Sequence, residues 1–178
     1  MTLVSLVSPA PRLHVGQGEH HVSSDPAVML TTVLGSCVSM CLRDPTARVG
    51  GMNHFLLPDG MATCADTGRR YGAYAMELLI NGVLNAGGRR ERLEAKLFGG
   101  GRMFDSLQDV GRFNADFAER FLSDEGIPVI GGSLRGLGAR RINFWPATGR
   151  ALQRTVVDQL PQMRPVRPLP ADGAVELF

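Results

Sequence analysis

The stretch Val28–Leu57, VMLTTVLGSCVSMCLRDPTARVGGMNHFLL, decides the fold. It reads as three strands in succession. Val28–Val33 is a short apolar, β-branched run, and Leu34-Gly35-Ser36 turns the chain. Cys37–Leu42 is the second strand. Asp44-Pro45-Thr46-Ala47 carries turn chemistry, and Val49–Leu57 is the third strand, closed by Pro58-Asp59-Gly60. Strands joined by turns this short pair antiparallel.

That pairing sets up chemistry. If Asp44–Ala47 closes a hairpin with its end residues paired, Cys37 faces His54 across two antiparallel strands. Directly opposed residues have Cβ atoms about 4.5–5.5 Å apart. Pro45 favours a type I turn, which brings a bulge and slips the register by one. A free thiol of pKa about 8.5 is only a few per cent thiolate at neutral pH. An adjacent imidazole takes its proton and holds an ion pair, so Cys37 and His54 are a candidate nucleophile and base. Cys41 lies four residues along the same strand and reads as core, and Cys64 sits in the polar loop 59–70. The cysteines and histidines lack the closely spaced pairs of a zinc site, so no metal and no cofactor is expected.

Two helices interrupt the strands. Tyr71, Tyr74, Ala75, Leu78, Leu79 and Val83 recur at helical spacing until Gly87-Gly88 stops the run. Val110, Phe113, Asn114, Phe117, Ala118, Phe121 and Leu122 form a continuous helical stripe that Gly126 and Pro128 end. Strands are expected at Leu93–Phe98 and Ile127–Gly131, and a hairpin at Arg141–Trp145 and Arg150–Val157. The first 25 residues are polar and broken by Pro and Gly. The pattern is α+β, a mostly antiparallel sheet or sandwich core flanked by two main helices. One domain over residues 1–160 is expected, with an extended, proline-containing tail over 161–178.

Composition bounds the function. The 178 residues are 44% hydrophobic and 20% charged, enough for one packed core and too few charges for general disorder. No apolar run reaches 18 residues, so no membrane insertion is expected. Met1–Leu13 has no basic n-region and carries Pro9 and Pro11, unlike a secretory signal. Three cysteines do not make a disulfide framework, so a reduced, cytoplasmic protein is expected. Residues 135–178 hold seven arginines and three acids, a local +4, against −2 for the rest. A basic end suits an acidic partner. Aromatics are 6% and do not interleave with the arginines, which argues against nucleic acid.

Several blocks carry a resemblance. Thr31, Leu34-Gly35-Ser36-Cys37-Val38, Arg43-Asp44-Pro45 and Asn53-His54-Phe55-Leu56-Leu57-Pro58 resemble the chemoreceptor glutamine deamidases of the CheD family. Tyr74-Ala75-Met76, Lys96-Leu97-Phe98-Gly99-Gly100, and Arg140–Phe144 with Thr148-Gly149-Arg150 are similar to that family too. The resemblance covers about residues 14–157. It implies a cysteine hydrolase acting on glutamine side chains in the cytoplasmic helical region of chemoreceptors. It implies Cys37 as nucleophile, His54 as base and Thr31 as the third, orienting residue. The fold it implies is the cysteine-hydrolase scaffold of cytotoxic necrotizing factor catalytic domains. An alternative role it carries is a non-catalytic adaptor that binds a CheC-type phosphatase.

Overall fold

A computed structural model describes residues 11–57, 65–103 and 109–156. Its elements are β1 (Arg12–His14), β2 (His20–Ser23), β3 (Met29–Leu34), β4 (Val38–Asp44), β5 (Val49–Asn53), α1 (Ala65–Asn85), β6 (Glu94–Gly99), α2 (Val110–Asp124), β7 (Val129–Leu134), β8 (Ala139–Trp145) and β9 (Arg150–Val156). Cys64 and the expected 161–178 tail lie outside the described residues.

The strands form two sheets, β1-β3-β8-β9 and β2-β5-β4-β6-β7. Five of the seven pairings between these strands are antiparallel; β1 with β3 and β6 with β7 are parallel. The α+β reading holds, with mixed rather than purely antiparallel sheets. The N-terminal residues read as broken polar chain supply two strands, β1 and β2. Both are short, β1 exposed throughout and β2 mostly half-buried, so they carry little apolar periodicity.

Alternation along β4 sorts the chain into three layers. Val38, Met40 and Leu42 face α1 and α2, where they meet Met76, Leu79, Ile80, Val83, Phe117, Ala118 and Leu122. Phe55 is fully buried there, edge-on to Phe117 at 6.0 Å between ring centroids. The opposite face of β4 carries Cys41, which joins Met52, Leu30, Leu34, Ile142 and Phe144 between the two sheets. Cys41 is thus core, and burial pushes its thiol up to about 12. Beside it, β5 needs Gly51. A Cβ there would stand 2.4 Å from the His21 carbonyl and 2.7 Å from Leu79, so only glycine lets β2 and α1 approach this closely.

The helices hold as expected, with shifted faces. α1 buries Gly72, Met76, Leu79, Ile80 and Val83, while Tyr71 and Tyr74 of the expected stripe are exposed. α2 starts at Asp109, whose carboxylate caps the Arg112 N–H. It buries Gly111, Asn114, Ala115, Phe117, Ala118 and Leu122, but Phe113 is 64% exposed.

The β4–β5 turn corrects the expected register. Asp44 pairs with Val49, not Ala47, and residues 45–48 form a four-residue loop. Two-residue hairpin turns need a positive φ at their first central position, which the Pro45 ring forbids. The positive φ falls instead on Arg48, at 55°. Asp44 holds this loop from inside the protein. Its Oδ1 accepts from the Thr46 and Ala47 N–H groups, and its Oδ2 from the Arg89 N–H and the Arg92 guanidinium. The Arg92 hydrogen bonds keep the buried Asp44 carboxyl well below the usual carboxylate range.

Candidate active site

The register carried along β4 and β5 pairs Val38 with Phe55 through two mutual 2.9 Å backbone hydrogen bonds. Cys37 therefore stands diagonal to His54, two positions from direct opposition. The even slip keeps both on the same side of the sheet, the side facing β3. Diagonal neighbours are about 7–8 Å apart between Cα atoms, still within side-chain reach.

His54 is only 8% exposed. Its backbone is pinned to a tight turn: Gly18 N–H donates to His54 O at 2.7 Å, and His54 N–H donates to Glu19 O at 3.1 Å. In that turn Glu19 N–H donates to Gly16 O, and Gly18 sits at φ +83°, a type II arrangement that asks for glycine. The imidazole Nδ1 lies 2.9 Å from Thr32 Oγ1 and 3.3 Å from Val15 O. Thr32 Oγ1 spends its own proton on Val15 O at 2.7 Å. A carbonyl only accepts, and with the hydroxyl proton on Val15 O the geometry favours the tautomer protonated at Nδ1. Nε2 then keeps its lone pair, and it is buried with no hydrogen-bond partner among the described residues.

Thr31 is not brought to this site. Leu30 and Leu34 point between the sheets, so Thr32, on the same parity, points there too, and Thr31 points the other way. The Thr31 hydroxyl meets Ile142 O at 3.0 Å and Asn143 Oδ1 at 2.7 Å. The orienting contact to His54 therefore comes from Thr32. The parity of Leu30 and Leu34 was the signal that separates the two threonines.

Cys37 is half-buried, immediately before β4. Its carbonyl accepts from Gly100 N–H at 2.7 Å, and its thiol meets Gln17 Oε1 at 3.9 Å. Burial raises the thiol above its ordinary pKa, partly opposed by its own backbone N–H. Burial also lowers the His54 imidazole, partly opposed by the Val15 carbonyl. Both shifts favour uncharged forms. Both directions favour a neutral thiol and a neutral imidazole over the expected resting ion pair, and no hydrogen bond joins the two side chains. The arrangement suits transfer of the thiol proton to Nε2 as sulfur attacks.

Asn114 also reaches this site from α2. It is fully buried, and its carboxamide contacts the backbone of Ser36 and Leu57, next to the nucleophile and base segments. The sequence signal was present, since a polar residue sits inside an apolar helical stripe.

The basic end also changes character. Arg140 is only 5% exposed and donates to the Ser133 and Arg135 carbonyls, so it is a structural clamp. Arg135, at φ 67°, is paired with Asp116 and Glu119. Arg141, Arg150 and Arg154 are exposed, and Arg150 lies over the Trp145 ring at 4.9 Å.

Known proteins align with this chain over nearly its whole length. A family model described as CheD chemotactic sensory transduction matches residues 56–155. The chain is 61% identical to a probable chemoreceptor glutamine deamidase CheD of Caulobacter sp. (strain K31), over 96% of this chain and 94% of that one. It is 58% identical to the protein of the same description from Caulobacter vibrioides (strain NA1000 / CB15N), over 95% and 94%. The match to that of Acidiphilium cryptum (strain JF-5) is 56% and covers both chains completely.

Proposed function

The chain belongs to the CheD family, and we propose that it is a protein-glutamine deamidase that converts glutamine side chains of chemoreceptors to glutamate in chemotaxis adaptation. The observation that carries the chemistry is the setting of His54: Nδ1 lies 2.9 Å from Thr32 Oγ1 and 3.3 Å from Val15 O, which favours a proton there, and the buried Nε2 has no hydrogen-bond partner among the described residues.

The steps follow from these groups. The attack requires the Cys37 thiol to reach Nε2 across this diagonal pair. Sulfur attacks the carboxamide carbon of the substrate glutamine as Nε2 takes the thiol proton. The developing oxyanion needs backbone N–H donors, and the Cys37 N–H is one. The imidazolium, steadied at Nδ1 by Thr32 and Val15, returns the proton to the leaving nitrogen, and ammonia departs. Neutral His54 then takes a proton from water as the water attacks the thioester, releasing glutamate and the thiol. Every bond change is met by these side chains and water, with no cofactor.

The further assignments belong to this reading. The partner is the cytoplasmic helical region of chemoreceptors, and the protein works in the cytoplasm. No helix among the described residues is long and apolar enough to cross a membrane. The single domain assigned to residues 1–160 is on the cysteine-hydrolase scaffold of cytotoxic necrotizing factor catalytic domains. Binding to a CheC-type phosphatase is compatible with this role. A purely adaptor role would have no use for a base with a fixed tautomer beside a thiol.

The test is ammonia release from a receptor cytoplasmic fragment, with a mass gain of about one dalton at the target glutamine. Wild type releases ammonia, and Cys37→Ala and His54→Ala do not, while both variants keep the wild-type circular dichroism. Turnover that survives Cys37→Ala overturns the assignment.

A further inference from the structure

Asn114 is the polar residue among the buried positions of α2. Its carboxamide spans two backbone segments. Oδ1 accepts from Leu57 N–H at 2.9 Å, and Nδ2 donates to Ser36 O at 2.9 Å. The Ser36 carbonyl belongs to the peptide whose N–H is that of Cys37. A trans peptide is planar, so a carbonyl fixed toward α2 fixes the N–H on the opposite side. That N–H has no carbonyl acceptor among the described residues. The next peptide is held as well, because Cys37 O accepts from Gly100 N–H and Val38 N–H donates to Phe55 O.

The Ser36–Cys37 peptide follows Gly35, in a turn with little side-chain bulk to resist a flip. A flipped peptide would present a carbonyl where the oxyanion forms. We propose that Asn114 is the positioning residue of the oxyanion site: its amide locks the Ser36–Cys37 peptide so that the Cys37 N–H points at the carboxamide oxygen under attack. Asn114 touches neither substrate nor sulfur and acts only through that peptide. The proposal rests on the deamidase reading above and adds the source of the preorganisation.

Two reactions of Cys37 separate this role from general support. Alkylation by iodoacetamide displaces iodide from a saturated carbon and builds no oxyanion. Deamidation builds one twice. Asn114→Asp keeps the shape and the acceptor for Leu57 N–H, but an ionised carboxylate cannot donate to Ser36 O. When protonated, its hydroxyl can donate there again. The kcat of Asn114→Asp on a receptor fragment is expected to fall by about 100- to 1000-fold at alkaline pH, the usual loss for one oxyanion donor. KM and the alkylation rate stay within about threefold of wild type. The ratio of variant to wild-type kcat rises as pH falls. Asn114→Ala has no proton to regain, so its ratio stays low and flat; if that variant does not fold, the pH dependence of Asn114→Asp decides alone. Alkylation falling in parallel with deamidation overturns the proposal, as does a pH-independent ratio for Asn114→Asp. A wild-type protein that alkylates at Cys37 but releases no ammonia instead refutes the deamidase reading.

Discussion

Replacing Thr32 by valine keeps the shape of the side chain and removes one oxygen. That oxygen accepts from His54 Nδ1–H at 2.9 Å, while Val15 O stays at 3.3 Å as a longer acceptor. A hydrogen bond to a neutral group contributes about 0.5–1.5 kcal/mol and one to a charged group about 1.5–3. The imidazole is neutral at rest and charged once it has the thiol proton. Roughly 1 kcal/mol or more of the bond is therefore realised only on the way to the transition state. At about 1.4 kcal/mol per factor of ten, kcat should fall by about 5- to 30-fold, with KM little changed. Thr32→Ser keeps the hydroxyl and should stay within a few-fold of wild type. Thr31→Val is the control. Its hydroxyl serves Ile142 O and Asn143 Oδ1 on the far side of β3, so the variant should lose about 1–3 kcal/mol of stability and keep its kcat. The assay is initial-rate ammonia release from a receptor fragment, with denaturant melts alongside. A Thr32→Val kcat within twofold of wild type, or a larger kcat loss in Thr31→Val, would refute the reasoning.

Four further outcomes follow from the electrostatics. Cys37 is raised by burial, so its alkylation rate should reach half its plateau above the ordinary thiol value near 8.5; a midpoint below 7 would restore the ion pair. His54 is lowered, so the acid limb of kcat/KM should lie below 6.5. Asp44 is lowered by Arg92, so it stabilises the fold above the unfolded-state value near 4, and that contribution is lost as pH falls toward its depressed folded-state value. Asn at position 44 should lower the melting temperature at neutral pH and flatten its fall in acid, as scanning calorimetry would register. Arg141 and Arg154 face each other across β8 and β9, both exposed. Changing both to glutamine should flatten the salt dependence of kcat/KM, with kcat unchanged, if they steer an acidic receptor helix; an unchanged salt slope removes them from that role.

The sequence made the strands around Cys37 and His54 legible because turn residues punctuate them and β-branched runs fill them. The register read from it was off by two residues. The Pro45 ring that forbids the shorter turn was visible, yet where the positive φ would fall instead was not, because Arg48 carries no signature for it. Thr31 and Thr32 are adjacent and chemically identical, and only strand parity separates them. β1 and β2 were hidden because three- and four-residue strands with exposed side chains leave no period to read. Arg140 read as surface charge because sequence alone does not reveal that its guanidinium is enclosed by backbone carbonyls.

The proposed nucleophile and base, Cys37 and His54, stand on one sheet, while Thr32, whose hydroxyl meets the imidazole, stands on the other. The working site is therefore a property of the seam between layers. A nascent or half-denatured chain whose sheets have not closed on each other still carries the Cys37 thiol, but no base of fixed tautomer beside it. Such a chain is chemically quiet toward the amides around it. On this reading full competence arrives only once the two sheets have closed on each other.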